Sequence, residues 1–168
     1  ERRLANGGAL ASFSDRMVFA LLSLVCFGSL RRYLGLNRVI NGFCGGATVS
    51  PEVLLFFWVL GVPVYQIYGM TESAGVSHTQ RDGATTLGRS GPIIDGLRQK
   101  IADDGELLLR GENLMSGYLH NPAATAAVLR DGWFRTGDVA RRDPDGLYRI
   151  TGRVKNIVIS GGVNIHPE

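Results

Sequence analysis

A strand, a helix and a second strand follow one another between residues 36 and 68, and this order constrains the fold most. Leu36–Cys44 is predicted to form the first strand, and the second is Pro63–Tyr68. Between them Ser50 is a helix cap, and the almost wholly apolar helix Pro51–Leu60 is expected to be buried on most sides and to stop at Gly61. A helix joining two strands implies parallel strands and a right-handed crossover. The sequence therefore predicts an α/β fold.

Glycine-bearing ends of both strands are expected at one edge of this sheet, as Gly45-Gly46 and Tyr68-Gly69. Ligands of open α/β sheets bind beyond the carboxyl ends of the strands. The ring of Tyr68 could stack on a flat ligand, Thr71 could donate to a phosphate oxygen, and Glu72 could hold Mg²⁺. The alternative is a strand followed by an ordinary turn.

Short alternating segments after Leu87 predict a small antiparallel sheet or barrel over residues 87–152. Hairpin turns are expected at Asp103-Asp104-Gly105 and at 143–146, and Asn121 is expected to cap a short helix ending at Leu129. The stretch 152–168 is interpreted as one strand bounded by glycine-rich turns.

These patterns divide the chain into an α/β part, residues 1–86, and a β-rich part, residues 87–154, which residues 155–168 follow. The chain opens without methionine and closes soon after a glycine-rich turn. We expect it to be part of a longer protein.

Charge and cysteine usage exclude some classes of function. The net charge is +3 with no basic stripe, so nucleic-acid binding has little support. Cys26 and Cys44 lie in apolar sequence without metal-site spacing, and are predicted to be buried thiols of a reducing compartment. The histidines also lack metal-site spacing and are interpreted as structural or surface residues: His78, His120 and His166.

Met17–Leu30 is uncharged but shorter than the roughly 20 residues that a membrane-spanning helix needs. It is interpreted as a buried or membrane-grazing amphipathic helix. The expected location is the cytoplasm, with peripheral contact to a membrane surface left open.

Several motifs occur in an order and spacing that resemble the ATP-dependent adenylate-forming (AMP-binding) superfamily, which includes acyl-CoA synthetases, peptide-synthetase adenylation domains and firefly luciferase. The resemblance runs from about Arg38 to Glu168, and residues 1–36 are loosely similar to bacterial long-chain fatty-acid synthetases. The motifs are Gly45-Gly46-Ala47, Tyr68–Glu72, Gly105–Gly111, Gly117-Tyr118, Asp131–Phe134, Thr136-Gly137-Asp138 and Gly152–Glu168.

This resemblance implies a partial adenylate-forming N-terminal domain followed by a small antiparallel barrel-like subdomain. Residues 1–86 would then be a partial α/β nucleotide-binding subdomain and residues 87–154 the β-rich subdomain, while residues 155–168 would be the hinge and the start of a truncated C-terminal domain. It also implies that a carboxylate, here a fatty acid, attacks the α-phosphate of ATP to give an acyl-adenylate and pyrophosphate. Coenzyme A then displaces AMP, and Mg²⁺ assists the first step. No partner protein is required. Two alternatives stay open: an adenylation domain that loads a carrier protein, and a non-catalytic nucleotide-binding module.

The resemblance also assigns the nucleotide-binding residues. Tyr68 would stack on adenine, with Gly46 and Ala47 lining the opposite side, and Gln66 would contact the adenine edge. The neighbouring glycines Gly45 and Gly69 belong to the same set.

The phosphates, ribose and metal are assigned to later residues. Thr71 would bond the α-phosphate and Glu72 would ligate Mg²⁺. Asp138 would accept hydrogen bonds from both ribose hydroxyls, or merely cap a turn. Arg153 would reach the ribose or phosphate, or form only a surface ion pair. Lys155 would be the hinge about which the small C-terminal domain rotates between the two half-reactions, or a solvated lysine.

Two parts of the family pattern are absent from this sequence. The Ser/Thr/Gly-rich phosphate loop ending in lysine has no counterpart, and the lysine that drives adenylation would lie beyond Glu168. Gly161-Gly162 and the following residues would approach the pantetheine channel. The 168 residues alone are therefore expected to bind nucleotide weakly and to be inactive.

Overall fold

The computed structural model describes residues 13–47, 49–80, 88–156, 158–160 and 163–165. These residues form two compact units. One unit takes the described residues of Glu1–Ile67 and Gln80–Gly91, and the other takes those of Tyr68–Thr79 and Pro92–Glu168.

The described part of the first unit begins with a helical stretch: α1 (Phe13–Leu22), a π-helical turn (Ser23–Phe27) and α2 (Gly28–Tyr33). Its described side chains are exposed or half-buried, so the first predicted alternative, a buried helix, is wrong for this structure. An apolar composition shows that a helix face can be buried, but it does not show which other part of a protein packs against that face. Cys26 is likewise exposed and Cys44 half-buried, both as free thiols. Within the described ranges, no helix is long and apolar enough to span a bilayer.

The strand–helix–strand unit is present and its strands are parallel, as predicted. β1 (Gly42–Cys44) pairs with β2 (Val64–Tyr68), with Gly42 opposite Val64 and Cys44 opposite Gln66. β1 begins six residues later than the predicted start at Leu36, because the preceding residues form turns.

Helix α3 (Pro51–Val59) connects the two strands. Ser50 caps it by accepting a hydrogen bond from the Glu52 backbone N–H at 3.3 Å, and the helix ends before Gly61, as the sequence predicts. Leu54 is buried, but Val53 and Phe56 are about half exposed. The prediction of burial on most sides is therefore wrong.

The second unit contains a curled five-stranded antiparallel sheet, confirming the β-rich second half. The elements of this unit, with the short strand that precedes the sheet, are β3 (His78–Thr79), β4 (Leu97–Ile101), β5 (Glu106–Gly111), α4 (Pro122–Val128), β6 (Leu129–Arg130), β7 (Trp133–Arg142) and β8 (Tyr148–Arg153). β5 pairs with β4 and β7, and β7 also pairs with β6 and β8.

The predicted turns of this sheet are in place. Asn121 caps α4 by accepting from the Ala124 backbone N–H at 3.0 Å. The core consists of Leu107 and Leu109 on β5 with Phe134 and Ala140 on β7. Because β7 runs through this core, the core fixes the position of residues 136–138, which lie in the middle of that strand.

The described residues of the final stretch form two short antiparallel strands and not the single strand that the sequence suggested. A 3₁₀ turn (Val154–Asn156) precedes β9 (Val158–Ser160) and β10 (Val163–Ile165), which pair antiparallel. The predictions for Gly161, Gly162 and residues 166–168 lie outside the described residues.

Candidate active site

The end of β2 is joined to the middle of β7 by a hydrogen bond between two predicted site residues. The Tyr68 hydroxyl donates to Oδ2 of Asp138 at 2.6 Å. Asp138 is only 4% exposed, so its charge needs partners within the protein. The second oxygen, Oδ1, lies 3.0 Å from Nε of Arg153. These three predicted site residues therefore meet, although they are far apart in the sequence.

The Thr136 hydroxyl, and not the Asp138 carboxylate, hydrogen-bonds the neighbouring backbone. Its Oγ1 accepts from the Asp138 backbone N–H at 3.1 Å and donates to the Leu107 carbonyl at 2.8 Å. The Asp138 carboxylate is thereby left to Tyr68 and Arg153. The alternative that Asp138 merely caps a turn does not describe this geometry.

Arg153 forms the ion pair that the sequence left open as an alternative. Its side chain remains 64% exposed while the partner carboxylate is buried. The guanidinium has further donors besides Nε, so the ion pair does not occupy all of its hydrogen-bonding capacity.

Ser77 and His78, which follow the 3₁₀ turn after Gly69, contact the backbone and the ring of Tyr68. Ser77 donates to the Tyr68 carbonyl through its backbone N–H at 2.8 Å, and the His78 ring packs edge-on with a centroid distance of 5.5 Å. Burial, followed by the negative charge of Asp138, raises the pKa of Tyr68. Burial lowers the pKa of His78, whose Nε2 lies 2.6 Å from Oε1 of Gln99, so His78 is the structural residue that the sequence predicted.

Gly69 allows the chain to turn sharply after Tyr68. A Cβ at this position would lie 2.4 Å from the Gly75 carbonyl oxygen. A 3₁₀ turn, Thr71–Ser73, follows, in which Thr71 is exposed and Glu72 half-buried.

Glu72 is held by a tyrosine to which the sequence analysis gave no role. The Tyr118 hydroxyl donates to Oε1 of Glu72 at 2.7 Å. This hydrogen bond raises the pKa of Tyr118. The Gly117-Tyr118 dipeptide had stood out only as part of a family pattern.

A second set of residues that the sequence analysis missed supports the Asp138 segment. Oε1 of buried Glu106 accepts from the Gly137 backbone N–H at 2.7 Å, and its other oxygen forms an ion pair with Arg135. Arg135 also bridges to Asp104 at 2.6 Å. Asp104 had been noticed only in the hairpin signal at 103–105, and Glu106 only within the family motif at 105–111. Their spacing to Arg135 carries no sequence pattern.

A cleft of about 410 Å³ opens within the second unit. Glu72, Tyr118, Gly137, Arg153 and Lys155 are among the residues that line it, whereas Tyr68, Thr71 and Asp138 lie outside its lining. The walls therefore present one predicted metal-binding carboxylate and two exposed cations. This combination suits a polyanion accompanied by a metal ion.

The remaining predicted nucleotide-binding residues belong to the first unit: Gly45, Gly46, Ala47 and Gln66. A Cβ on Gly45 would lie 2.7 Å from the Ile67 side chain, so the first unit requires glycine there. Gln66 is buried, and its side-chain oxygen has no hydrogen-bond partner among the described residues.

Mg²⁺ requires a suitable donor set. The described residues contain no group of three or more His, Cys, Asp or Glu side chains that could hold a metal ion. Mg²⁺ bound with nucleotides usually takes one or two carboxylates and completes its shell with phosphate oxygens and water. The single half-buried carboxylate of Glu72 on the cleft wall fits that mode of binding.

Comparison with known proteins identifies the family. The family described as "AMP-binding enzyme" matches residues 8–119. The chain belongs to the AMP-binding enzyme family. A Mycobacterium tuberculosis protein named as a fatty-acid–CoA ligase, fadD11, is 38% identical over 160 residues, which cover 93% of this chain and 28% of that protein.

Other relatives of this chain are named for different acids. The 2-succinylbenzoate–CoA ligase of Listeria monocytogenes is 42% identical over 125 residues, covering 73% of this chain and 27% of that protein. The chain thus spans about a quarter of the length of these relatives.

Solved structures of the O-succinylbenzoate coenzyme A synthetase MenE from Bacillus subtilis have the same fold. With ATP and magnesium, that enzyme gives a TM-score of 0.69 at 30% identity, covering 76% of this chain and 29% of that one. The structure of the same enzyme with its acyl-adenylate intermediate gives a TM-score of 0.72 at 29% identity. That match covers 84% of this chain and 32% of the MenE chain. These comparisons support the α/β, adenylate-forming fold.

Proposed function

We propose that this chain is the adenine-, ribose- and magnesium-binding part of an AMP-forming acid–thiol ligase. The full protein would convert a carboxylic acid and ATP into an acyl-adenylate and pyrophosphate, and then transfer the acyl group to coenzyme A. The observation that carries this proposal is the buried Asp138 carboxylate, held by Tyr68 and Arg153. Family membership and the chemistry of the cluster formed by Asp138, Tyr68 and Arg153 support the proposal.

Asp138 is the proposed acceptor for the ribose hydroxyls. Each carboxylate oxygen can accept two hydrogen bonds, so one donor on each oxygen does not saturate the group. Tyr68 presents its ring to adenine while its hydroxyl orients Asp138. Gly45, Gly46, Ala47, Gln66 and Gly69 complete the proposed nucleotide-binding set.

The phosphates and the metal are assigned to the cleft and to the turn beside it. Thr71 donates to the α-phosphate, and Arg153 offers its remaining N–H groups to phosphate or ribose oxygens. Glu72 holds Mg²⁺, which when bound neutralises charge on the phosphates. Lys155, exposed beside the cleft, is proposed to be the hinge residue at the start of the C-terminal domain.

A fatty acid is the proposed acid substrate, since the chain is similar over 93% of its length to a relative named for fatty acids. The relative named for 2-succinylbenzoate makes an aryl acid the competing choice. A cytoplasmic location would supply both ATP and coenzyme A, and we assign no partner protein.

The direct test is acid-dependent pyrophosphate release by the full-length protein with ATP and Mg²⁺. Fatty acids of increasing length and 2-succinylbenzoate would be compared. We expect turnover with one class of acid and at least a hundredfold loss in Glu72→Gln. The exposed Glu112→Gln serves as the matched control and should retain wild-type activity. Turnover that is unchanged in Glu72→Gln would contradict the role of Glu72.

The two competing functions give different results in the same assay. A non-catalytic nucleotide-binding module would bind ATP but release no pyrophosphate with any acid. An adenylation domain that loads a carrier would release pyrophosphate, yet transfer the acyl group to a phosphopantetheinyl carrier and not to coenzyme A. Identification of the acylated thiol by mass spectrometry separates these outcomes.

A further inference from the structure

We propose that Tyr118 is a positioning residue for Glu72. Its hydroxyl fixes one carboxylate oxygen and leaves the other for the divalent cation. The inference rests on the proposed function, because it gives Tyr118 a role only if Glu72 binds metal. Both side chains line the same cleft.

The contact joins two segments that are distant in the chain. The hydroxyl of Tyr118 lies 2.7 Å from Oε1 of Glu72, across 46 positions. A phenol is a neutral donor, so it restricts the carboxylate without cancelling its charge. An arginine or lysine at the same place would compete with the cation that the carboxylate is there to bind.

Tyr118 is itself anchored at its backbone. Its N–H donates to Oγ1 of Thr125 at 2.9 Å, and the Thr125 hydroxyl donates to the Asn121 carbonyl at 3.0 Å. Asn121 is the cap of α4. The start of that helix therefore fixes the position from which the tyrosine reaches Glu72.

The same loop also holds the backbone of the turn that contains Glu72. The Met115 N–H donates to the Glu72 carbonyl at 2.8 Å, and the Asn113 side-chain amide donates to the Ser73 carbonyl at 3.3 Å. Backbone and side chain of Glu72 are thus both set by residues 113–118. This double attachment distinguishes a positioning contact from an incidental surface hydrogen bond.

Hydrogen bonds to metal-ligating groups orient the ligand, and their loss typically weakens metal affinity about 10- to 100-fold. We therefore expect Tyr118→Phe to raise the dissociation constant for Mn²⁺ about tenfold. The measurement is electron paramagnetic resonance of free Mn²⁺, titrated into full-length protein with a non-hydrolysable ATP analogue. Tyr33→Phe, which alters an exposed tyrosine, is the matched control and should bind Mn²⁺ like the wild type.

Three further readouts separate positioning from general damage. Nucleotide affinity measured in EDTA should be unchanged in Tyr118→Phe, and saturating Mg²⁺ should restore its kcat. Adding Tyr118→Phe to Glu72→Gln should weaken Mn²⁺ binding no further, since the hydrogen bond acts only through that carboxylate.

The outcomes distinguish this inference from the proposed function. Wild-type protein that binds Mn²⁺, together with a Tyr118→Phe variant of equal affinity within twofold, would overturn the inference and leave the proposed function intact. Wild-type protein that binds nucleotide without any Mn²⁺ would overturn the proposed metal site and the inference with it.

Discussion

The Tyr68 hydroxyl donates to the buried Asp138 carboxylate across 70 positions of the chain, at 2.6 Å. One end of this hydrogen bond lies where β2 ends, and the other lies in the middle of β7. The aromatic ring and the acid that we assign to one nucleotide are therefore also structural partners of each other. Changing either residue should affect stability as well as binding.

Tyr68→Phe should destabilise the protein. The substitution keeps the ring but removes a hydrogen bond to a buried carboxylate, which is worth roughly 1.5–3 kcal/mol. Urea unfolding of the full-length protein at pH 7 should show that loss. Tyr33→Phe removes an exposed hydroxyl and should cost less than about 0.5 kcal/mol. Equal unfolding midpoints for the two variants would contradict the role given to the hydrogen bond.

The same pair predicts an alkaline dependence of stability. The pKa of Tyr68 is raised above the ordinary value of 10.0, so the folded state keeps a proton that the unfolded state releases above about pH 10. Stability from this group is fully present below that pH and declines above it, by about 1.4 kcal/mol per pH unit. The stability difference between wild type and Tyr68→Phe should therefore shrink between pH 10 and 11. A constant difference over this range would disagree with the raised pKa.

Gly69→Ala should disrupt the turn that carries Thr71 and Glu72. The added Cβ would lie 2.4 Å from the Gly75 carbonyl oxygen and 2.7 Å from the Val76 Cα, so backbone would have to move. We expect a loss of about 1–3 kcal/mol, together with weaker Mn²⁺ binding.

Gly137→Ala is the contrasting variant. A Cβ there meets nothing within 4 Å, and only the positive φ of 75° opposes it. It should cost about 1–2 kcal/mol and leave Mn²⁺ affinity within twofold of wild type. The interpretation of Gly69 fails if both variants change Mn²⁺ binding equally.

The two acids that contact Arg135 should differ in importance. Glu106→Gln removes the charge of a buried partner that also accepts from the Gly137 N–H, and should cost about 3 kcal/mol. Asp104→Asn removes a half-exposed partner and should cost at most about 1 kcal/mol. Thermal unfolding of both variants provides the comparison. A larger loss for Asp104→Asn would reverse the assigned order.

Local chemistry made several parts of the fold predictable. Ser50 and Asn121 cap their helices, and the turn at 103–105 joins antiparallel strands, because each signal acts within a few residues. The strand predicted to start at Leu36 starts only at Gly42 in the structure, because apolar composition does not determine where strand pairing begins. The buried alternative for α1 and α2 was wrong for a related reason: hydrophobicity does not identify a covering partner.

The candidate site was predictable in its residue types but not in its contacts. Family motifs singled out Tyr68, Glu72, Asp138 and Arg153 one by one. The hydrogen bond from Tyr118 to Glu72 depends on where a loop is anchored, and no spacing rule encodes it. The Glu106–Arg135 pair was missed for the same reason, because buried ion pairs join residues that only tertiary structure brings together.

The central claim is that Asp138 recognises the sugar of the nucleotide whose base lies on Tyr68. Its most direct test compares the affinity of the full-length protein for AMP and for 2′,3′-dideoxy-AMP, in wild type and in Asp138→Asn. Wild type should bind AMP at least about tenfold more tightly, because the dideoxy sugar has no hydroxyls to donate hydrogen bonds to the Asp138 carboxylate. Asp138→Asn should bind the two ligands within about twofold of each other. Undiminished discrimination by Asp138→Asn would contradict the account.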